Sequence, residues 1–170
     1  AGAVKLNRQW QPLEEVVGSA IKAMRSTMAG HRLGVNLPDG LPLLEFDAVL
    51  VERVLCNLLE NAVTYTPAGS LIEIGAAPGA RDQVDIWVED DGPGLPAGKE
   101  ELIFSKFERG QKESAASGVG LGLAICRAIV TAHGGTIRAE NRRGGGARFV
   151  FSLPRGQPPS LAGAEEDSPQ

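Results

Sequence analysis

Short stretches of this chain carry side chains whose types and spacing can do chemistry. Asn57 and Asn61, in CNLLENA, stand four residues apart, so on a helix they project from one face, and Thr64 and Tyr65 continue it by another turn. Neutral oxygen donors at that spacing suit a hard cation such as Mg²⁺, which keeps several waters and takes few protein ligands. The same pair can equally cap or bridge a neighbouring loop. In VDIWVEDDGPGLP, a two-residue period puts Val84, Ile86, Val88 and Asp90 on one strand face, three core residues followed by a carboxylate. A buried acid is costly unless it meets a donor, and the exocyclic amine of a purine is one. Gly92 and Gly94 let the backbone come close to a planar ligand. An ordinary strand ending in an acidic Gly-Pro turn has the same wording. Further on, Ile103, Phe104 and Phe107 are apolar anchors among the cations Lys106, Arg109 and Lys112. Gly118-Val119-Gly120-Leu121-Gly122 then opens a helix, where free N–H groups and the helix dipole favour phosphate. No strand precedes these glycines, which excludes a dinucleotide fingerprint, and there is no Gly-x-x-x-x-Gly-Lys loop.

The elements that must hold these stretches follow from periodicity and punctuation. Residues 13–29 predict an opening helix, and 31–37 and 41–46 two short strands around Pro38-Asp39-Gly40. Asp47 is placed as the N-cap of a helix ending at residue 65, before Pro67, with Val51, Val54, Leu55, Leu58 and Ala62 as its apolar stripe. Strands follow at 70–77 and 84–90. From Asp91 the chain is broken by Gly and Pro, with room for a short helix at 99–105, and a lid is expected over 91–118. A helix over 120–133 stops at Gly134-Gly135, and strands at 136–141 and 147–153 flank the turn 142–146. The Pro-, Gly-, Ser- and acid-rich residues 155–170 predict a disordered tail. This order gives an α/β two-layer sandwich over residues 1–154: one mixed, mostly antiparallel sheet with helices on one face and a mobile lid.

The 170 residues, 42% hydrophobic and 22% charged, suit one domain with a single core. A net charge of −4 gives no basic excess for a nucleic-acid groove, so any polyanion site must be local. No stretch reaches the ~18 apolar residues of a membrane span, and the start does not read as a secretion signal. Cys56 and Cys126 lie inside apolar helical patterns and are expected as buried, reduced thiols.

Taken in order, these stretches resemble the histidine-kinase branch of the ATPases with a Bergerat fold, relatives of gyrase, Hsp90 and MutL. The likeness covers about residues 10–154. The N box is similar to Asn57-Leu58-Leu59-Glu60-Asn61-Ala62, with Tyr65-Thr66-Pro67 after it. The first glycine box is similar to Asp90-Asp91-Gly92-Pro93-Gly94, and the F box to residues 103–109. The second glycine box looks like residues 118–123, and Gly146-Ala147-Arg148-Phe149 closes the set. Wording at 10–20 and 109–114 is closer still to members that control high-affinity potassium uptake.

The resemblance implies ATP and Mg²⁺ as ligands. Asp90 would accept from the adenine amine, beside Gly92 and Gly94, with Tyr65 lining the pocket. Asn57 and Asn61 would hold Mg²⁺. Arg109 would reach the γ-phosphate, with Lys106 near it, and Gly118, Val119, Gly120, Leu121 and Gly122 would cover the phosphates; Arg109 and Asn61 would be the catalytic pair. The family commonly has Lys where this chain has Thr64, a change expected to weaken phosphate binding unless Lys106 or Lys112 compensates, and often Asn where it has Asp91, whose charge is expected to cost slightly if it points inward. Neither His31 nor His133 has the acidic, helix-starting context of a phosphoacceptor, so the acceptor is expected on a dimerisation domain absent from this sequence. The implied partners are that domain and a response regulator. The chain itself is expected to be a cytoplasmic monomer, away from membrane and nucleic acid, within a bacterial inner-membrane protein. An ATP hydrolase or clamp needs a general base one turn before Asn61, and that position is Asn57. A binding-only module rests on Thr64 alone, and a Ser/Thr kinase of the anti-sigma type leaves the wording at 10–20 unexplained.

Overall fold

A computed structural model describes residues 5–96, 104 and 119–157 of the chain. In chain order the elements are β1 (Gln9–Gln11), α1 (Leu13–Met24), β2 (Arg32–Asn36), β3 (Leu44–Phe46), α2 (Ala48–Tyr65), β4 (Leu71–Pro78), β5 (Gln83–Asp90), α3 (Val119–Ala132), β6 (Ile137–Asn141) and β7 (Ala147–Pro154). Five strands form one sheet in the order β2-β4-β5-β7-β6. The β2–β4 pair is parallel and the other pairs are antiparallel. The helices lie on one face, α2 packed between α1 and α3, so the architecture is the expected two-layer α/β sandwich. Of the expected lid only residues 91–96 and 104 are described, of the short helix at 99–105 only Phe104, and of the expected tail only residues 155–157; Phe104 is helical and fully buried.

The core forms where two periodicities meet. On α2, Val51, Val54, Leu55, Leu58, Leu59 and Ala62 are buried, a wide apolar stripe at helical spacing. Beneath it the sheet supplies Ile72 and Ile74 from β4, Ile86 and Val88 from β5, and Phe149 and Phe151 from β7, all buried. Alternate residues Glu73, Asp85, Trp87 and Glu89 turn to the other, half-buried face.

Three expectations need correction. The opening helix closes at Met24, not at residue 29, because Ser26, Thr27 and Gly30 favour turns over helix; Met28 is still buried by the turns that follow. The strand expected over 41–46 begins only at Leu44, after Pro42, which has no N–H for a ladder. It also leaves the main sheet and pairs antiparallel with β1, Gln9 opposite Phe46, where Gln11 Nε2 donates to the Phe46 carbonyl at 2.9 Å.

Helix α2 is fixed at both ends. Asp47 is its N-cap: Oδ1 accepts from Leu50 N–H at 3.1 Å and Oδ2 from Asn7 N–H at 2.9 Å. The Asp47 N–H donates to His133 Nε2 at 3.1 Å, and His133 Nδ1 reaches the Ile129 carbonyl at 2.9 Å. That carbonyl can only accept, so the ring is the neutral Nδ1–H form, committed at both nitrogens. At the other end the Thr66 hydroxyl donates to the Ala62 carbonyl at 2.7 Å, and so accepts from His31 Nε2 at 2.9 Å. Both histidines therefore brace helix ends. Asp47→Ala removes the cap and the tether to Asn7 together and should lower stability by about 2 kcal/mol. Urea denaturation checks this; an unchanged midpoint would mean the network carries no load.

Candidate functional site

The first glycine box starts where the core ends. Asp90, last residue of β5 and 5% exposed, falls on the core-facing side with Val84, Ile86 and Val88. Its donors are backbone groups: Gly92 N–H bonds Oδ1 at 2.9 Å and Ala147 N–H reaches the same oxygen at 3.3 Å. Gly92 lies against the end of α2, where a Cβ would come within 2.7 Å of Thr66 Cγ2. That contact brings Tyr65, which is 58% exposed, to the same end of the sheet as Asp90. Gly94 has φ +85° and nearly touches the Asn141 side chain. The Asn141 amide in turn accepts from Leu95 N–H at 2.6 Å and donates to the Leu95 carbonyl at 3.0 Å, pairing as a strand would.

The paired asparagines have different surroundings. Asn61 is 6% exposed, and its buried Oδ1 meets no hydrogen-bond donor among the described residues. An unsatisfied buried oxygen is costly, and a cation or its bound water would satisfy it. Asn57 is half-buried and turned to α3, with Nδ2 donating to the Gly122 carbonyl at 3.5 Å. Of the neutral oxygens expected to hold a cation, the Asn61 oxygen fits and Asn57 braces the two helices.

Gly122 is thus set beside the N box, only 3.5 Å separating the position of a Cβ there from Asn57 Cγ. Val119, Gly120 and Leu121 already belong to α3, so 119–122 are its first turn and not a loop before it. That turn presents N–H groups without intrahelical acceptors. Lys106, Arg109 and Gly118 lie outside the described residues. Phe104, one of the apolar residues of that stretch, is fixed in the core: its ring meets Phe149 edge-on, centroids 6.3 Å apart, and Arg127 lies 4.8 Å over its face.

The two departures from the family pattern also resolve. Asp91 turns away from the box: Oδ1 accepts from Leu71 N–H at 2.9 Å and Oδ2 faces Arg32 at 3.7 Å. Its charge therefore caps a strand edge. Thr64 is exposed and its hydroxyl bonds the Glu60 carbonyl at 2.9 Å, so it offers no replacement for a phosphate-binding Lys. The residues that sequence reasoning missed are Asn141 and Arg142 at the β6–β7 turn; Ala147 stood in the closing motif, but its N–H was given no partner. The run Gly144-Gly145-Gly146 marked a tight turn but not its partner.

Known proteins share this architecture. Residues 46–157 match the family described as histidine kinase-, DNA gyrase B- and HSP90-like ATPase. The chain belongs to that family, and within it is an ATP-binding catalytic domain of the sensor histidine kinase type. The sensor protein KdpD of Escherichia coli (strain K12) is 51% identical over 168 residues, 98% of this chain but 18% of that protein. This chain therefore corresponds to a small part of that relative. Full-length ShkA in complex with AMPPNP has a TM-score of 0.75 at 27% identity, over 91% of this chain and 32% of that one. Histidine kinase ThkA in complex with response regulator protein TrrA has a TM-score of 0.73 at 27% identity, over 89% of this chain and 42% of that one.

Behind the N box, burial pushes the Cys126 thiol up to about 12, offset in part by a hydrogen bond with Asn57 and the charge of Arg53. Burial also raises Cys56, helped by Glu52 and Glu60. A raised thiol pKa means less thiolate: at pH 8 Cys126 holds roughly one part in 10⁴. Iodoacetamide should leave Cys126 of the folded protein unmodified and alkylate it in urea; equal rates in both would contradict this packing.

Proposed function

We propose that this chain binds Mg-ATP and passes the γ-phosphate to a histidine on a dimerisation domain of the same protein. The observation that carries the reading is the buried Asp90 carboxylate. One of its oxygens is held by Gly92 and Ala147 N–H groups, at the sheet end where Tyr65 is open to solvent. A carboxylate held in that way is a fixed acceptor for an amine such as that of adenine. The Asn61 oxygen would take Mg²⁺ directly or through its water, and that ion, when bound, offsets phosphate charge. The first turn of α3 supplies N–H groups for the phosphates. By family resemblance Lys106, Arg109 and Gly118 complete the phosphate site, Arg109 reaching the γ-phosphate, with catalysis by positioning and charge neutralisation.

A hydrolase is the weaker reading. Asn57, one turn before Asn61, cannot act as a general base, and Glu60 is exposed about 100° around the helix. The remaining parts extend the resemblance. Residues 1–154 form one catalytic domain with a tail beyond, monomeric and inactive alone for want of the phosphoacceptor. It is the cytoplasmic portion of an inner-membrane sensor of the potassium-response kind, signalling to a response regulator.

Calorimetric titration with Mg-ATP should give a saturating isotherm and a flat baseline; continued heat release after saturation would indicate hydrolysis. Asp90→Asn should abolish binding, whereas Asp91→Asn should stay within about twofold of wild type because Asp91 faces Arg32. Wild-type affinity in Asp90→Asn would place the adenine elsewhere. With the phosphoacceptor domain supplied, Arg109→Ala should lower phosphotransfer far more than ATP affinity; equal losses would remove Arg109 from the reaction.

A further inference from the structure

We propose that Arg142 is a positioning residue for adenine recognition, holding Asp90 in place from the β6–β7 turn; this rests on the reading of Asp90 as the adenine acceptor. On one side of Asp90 the sheet continues, since Asp90 pairs with Ile72 of β4. On the other side the ladder to β7 stops at Glu89 opposite Arg148. The Asp90 carbonyl is left beyond the last strand pair, and Arg142 Nη1 supplies its donor at 2.8 Å.

The guanidinium is itself fixed. Its Nε faces Glu89 Oε2 at 3.5 Å, and the Glu89 side chain is only 14% exposed. The same oxygen faces Arg148 Nε at 3.5 Å, and the Arg148 guanidinium lies 4.2 Å over the Trp87 ring. One shielded carboxylate thus sits between two guanidinium groups, the second of them held on an aromatic face. Because a guanidinium is planar, the contacts at Nε and Nη1 set its orientation, which a lysine could not do.

The turn brings a second hold on the same residue. Arg142 N–H donates to the Gly146 carbonyl at 2.8 Å and closes the turn. Gly146, at φ +101°, lies so near β5 that a Cβ would collide with the Asp90 carbonyl. The next residue gives its N–H to Asp90 Oδ1. The turn therefore grips Asp90 twice, at its carbonyl through Arg142 and at its carboxylate through Ala147. With the peptide plane and Oδ1 both held, the direction of Oδ2 is set before a ligand arrives, and preorganisation of this kind is what makes one hydrogen bond selective.

ATP and inosine triphosphate test this, because inosine has a carbonyl in place of the adenine amine. Wild type should bind ATP at least about tenfold more tightly than inosine triphosphate. Arg142→Met keeps the aliphatic stem and should cost about tenfold in ATP affinity with little change for inosine triphosphate, so the ratio collapses. Arg142→Lys, with one donor still able to reach the Asp90 carbonyl, should recover part of it. A merely structural Arg142 would weaken both nucleotides together. A ratio kept within twofold in a folded Arg142→Met protein, checked by circular dichroism, overturns the proposal and leaves Asp90 as the adenine acceptor. A wild type that does not prefer ATP overturns that acceptor role and this proposal with it. Should Arg142→Met fail to fold, Glu89→Gln makes the same comparison, with an expected loss of ratio of about threefold and an unchanged ratio overturning the proposal.

Discussion

A carboxylate set at the end of a core-facing strand has to find its hydrogen bonds where the core has none to give. The residues that share its face are Val84, Ile86 and Val88. Asp90 is tolerable there because backbone N–H groups come to it, one from two residues ahead and one from the neighbouring strand β7. Each approach needs a glycine. Gly92 lets the chain double back against Thr66, and Gly146 lets the β6–β7 turn press on the strand. The loops at this end of the sheet are shaped by the need to satisfy one acid.

Helix α2 is the second element on which the site depends. Its stripe is buried against the sheet, its flanks meet α1 and α3, and its ends are capped by Asp47 and Thr66. The His133 ring carries the first cap across to the end of α3. Asn57 ties the middle of α2 to the first turn of α3, so the N box and the second glycine box are held as one unit. Within so well satisfied a helix, the buried oxygen of Asn61 stands out as one with no hydrogen-bond partner among the described residues.

Charge is distributed by the same logic. The chain carries a net charge of −4, yet the acid nearest the box is turned outward, where Arg32 and a strand-edge N–H take it up. On the open face of the sheet, Glu89 collects two arginines, one stacked on Trp87 and one reaching back to Asp90. These groups are partly shielded from water, and their value lies in fixing geometry more than in net attraction.

Much of this was legible in the residues themselves. The stripe and N-cap of α2, the alternation of β5 that puts Asp90 on the core side, and the stop at Gly134-Gly135 each depend on neighbours within about four positions. Period two also explains Asp91, which falls on the opposite face from Asp90. Other features carried no local signal. Strands β1 and β3 have three residues each, too few for a period, and they find each other across 35 positions. Asn57 meets Gly122 across 65 positions, and Arg142 meets Asp90 across 52. The sequence alone determined which residue types stand on which face, because that is set by backbone geometry over a turn or a strand. Only the tertiary structure decided which distant donor satisfies which acceptor, because burial makes every polar group seek a partner and packing chooses it.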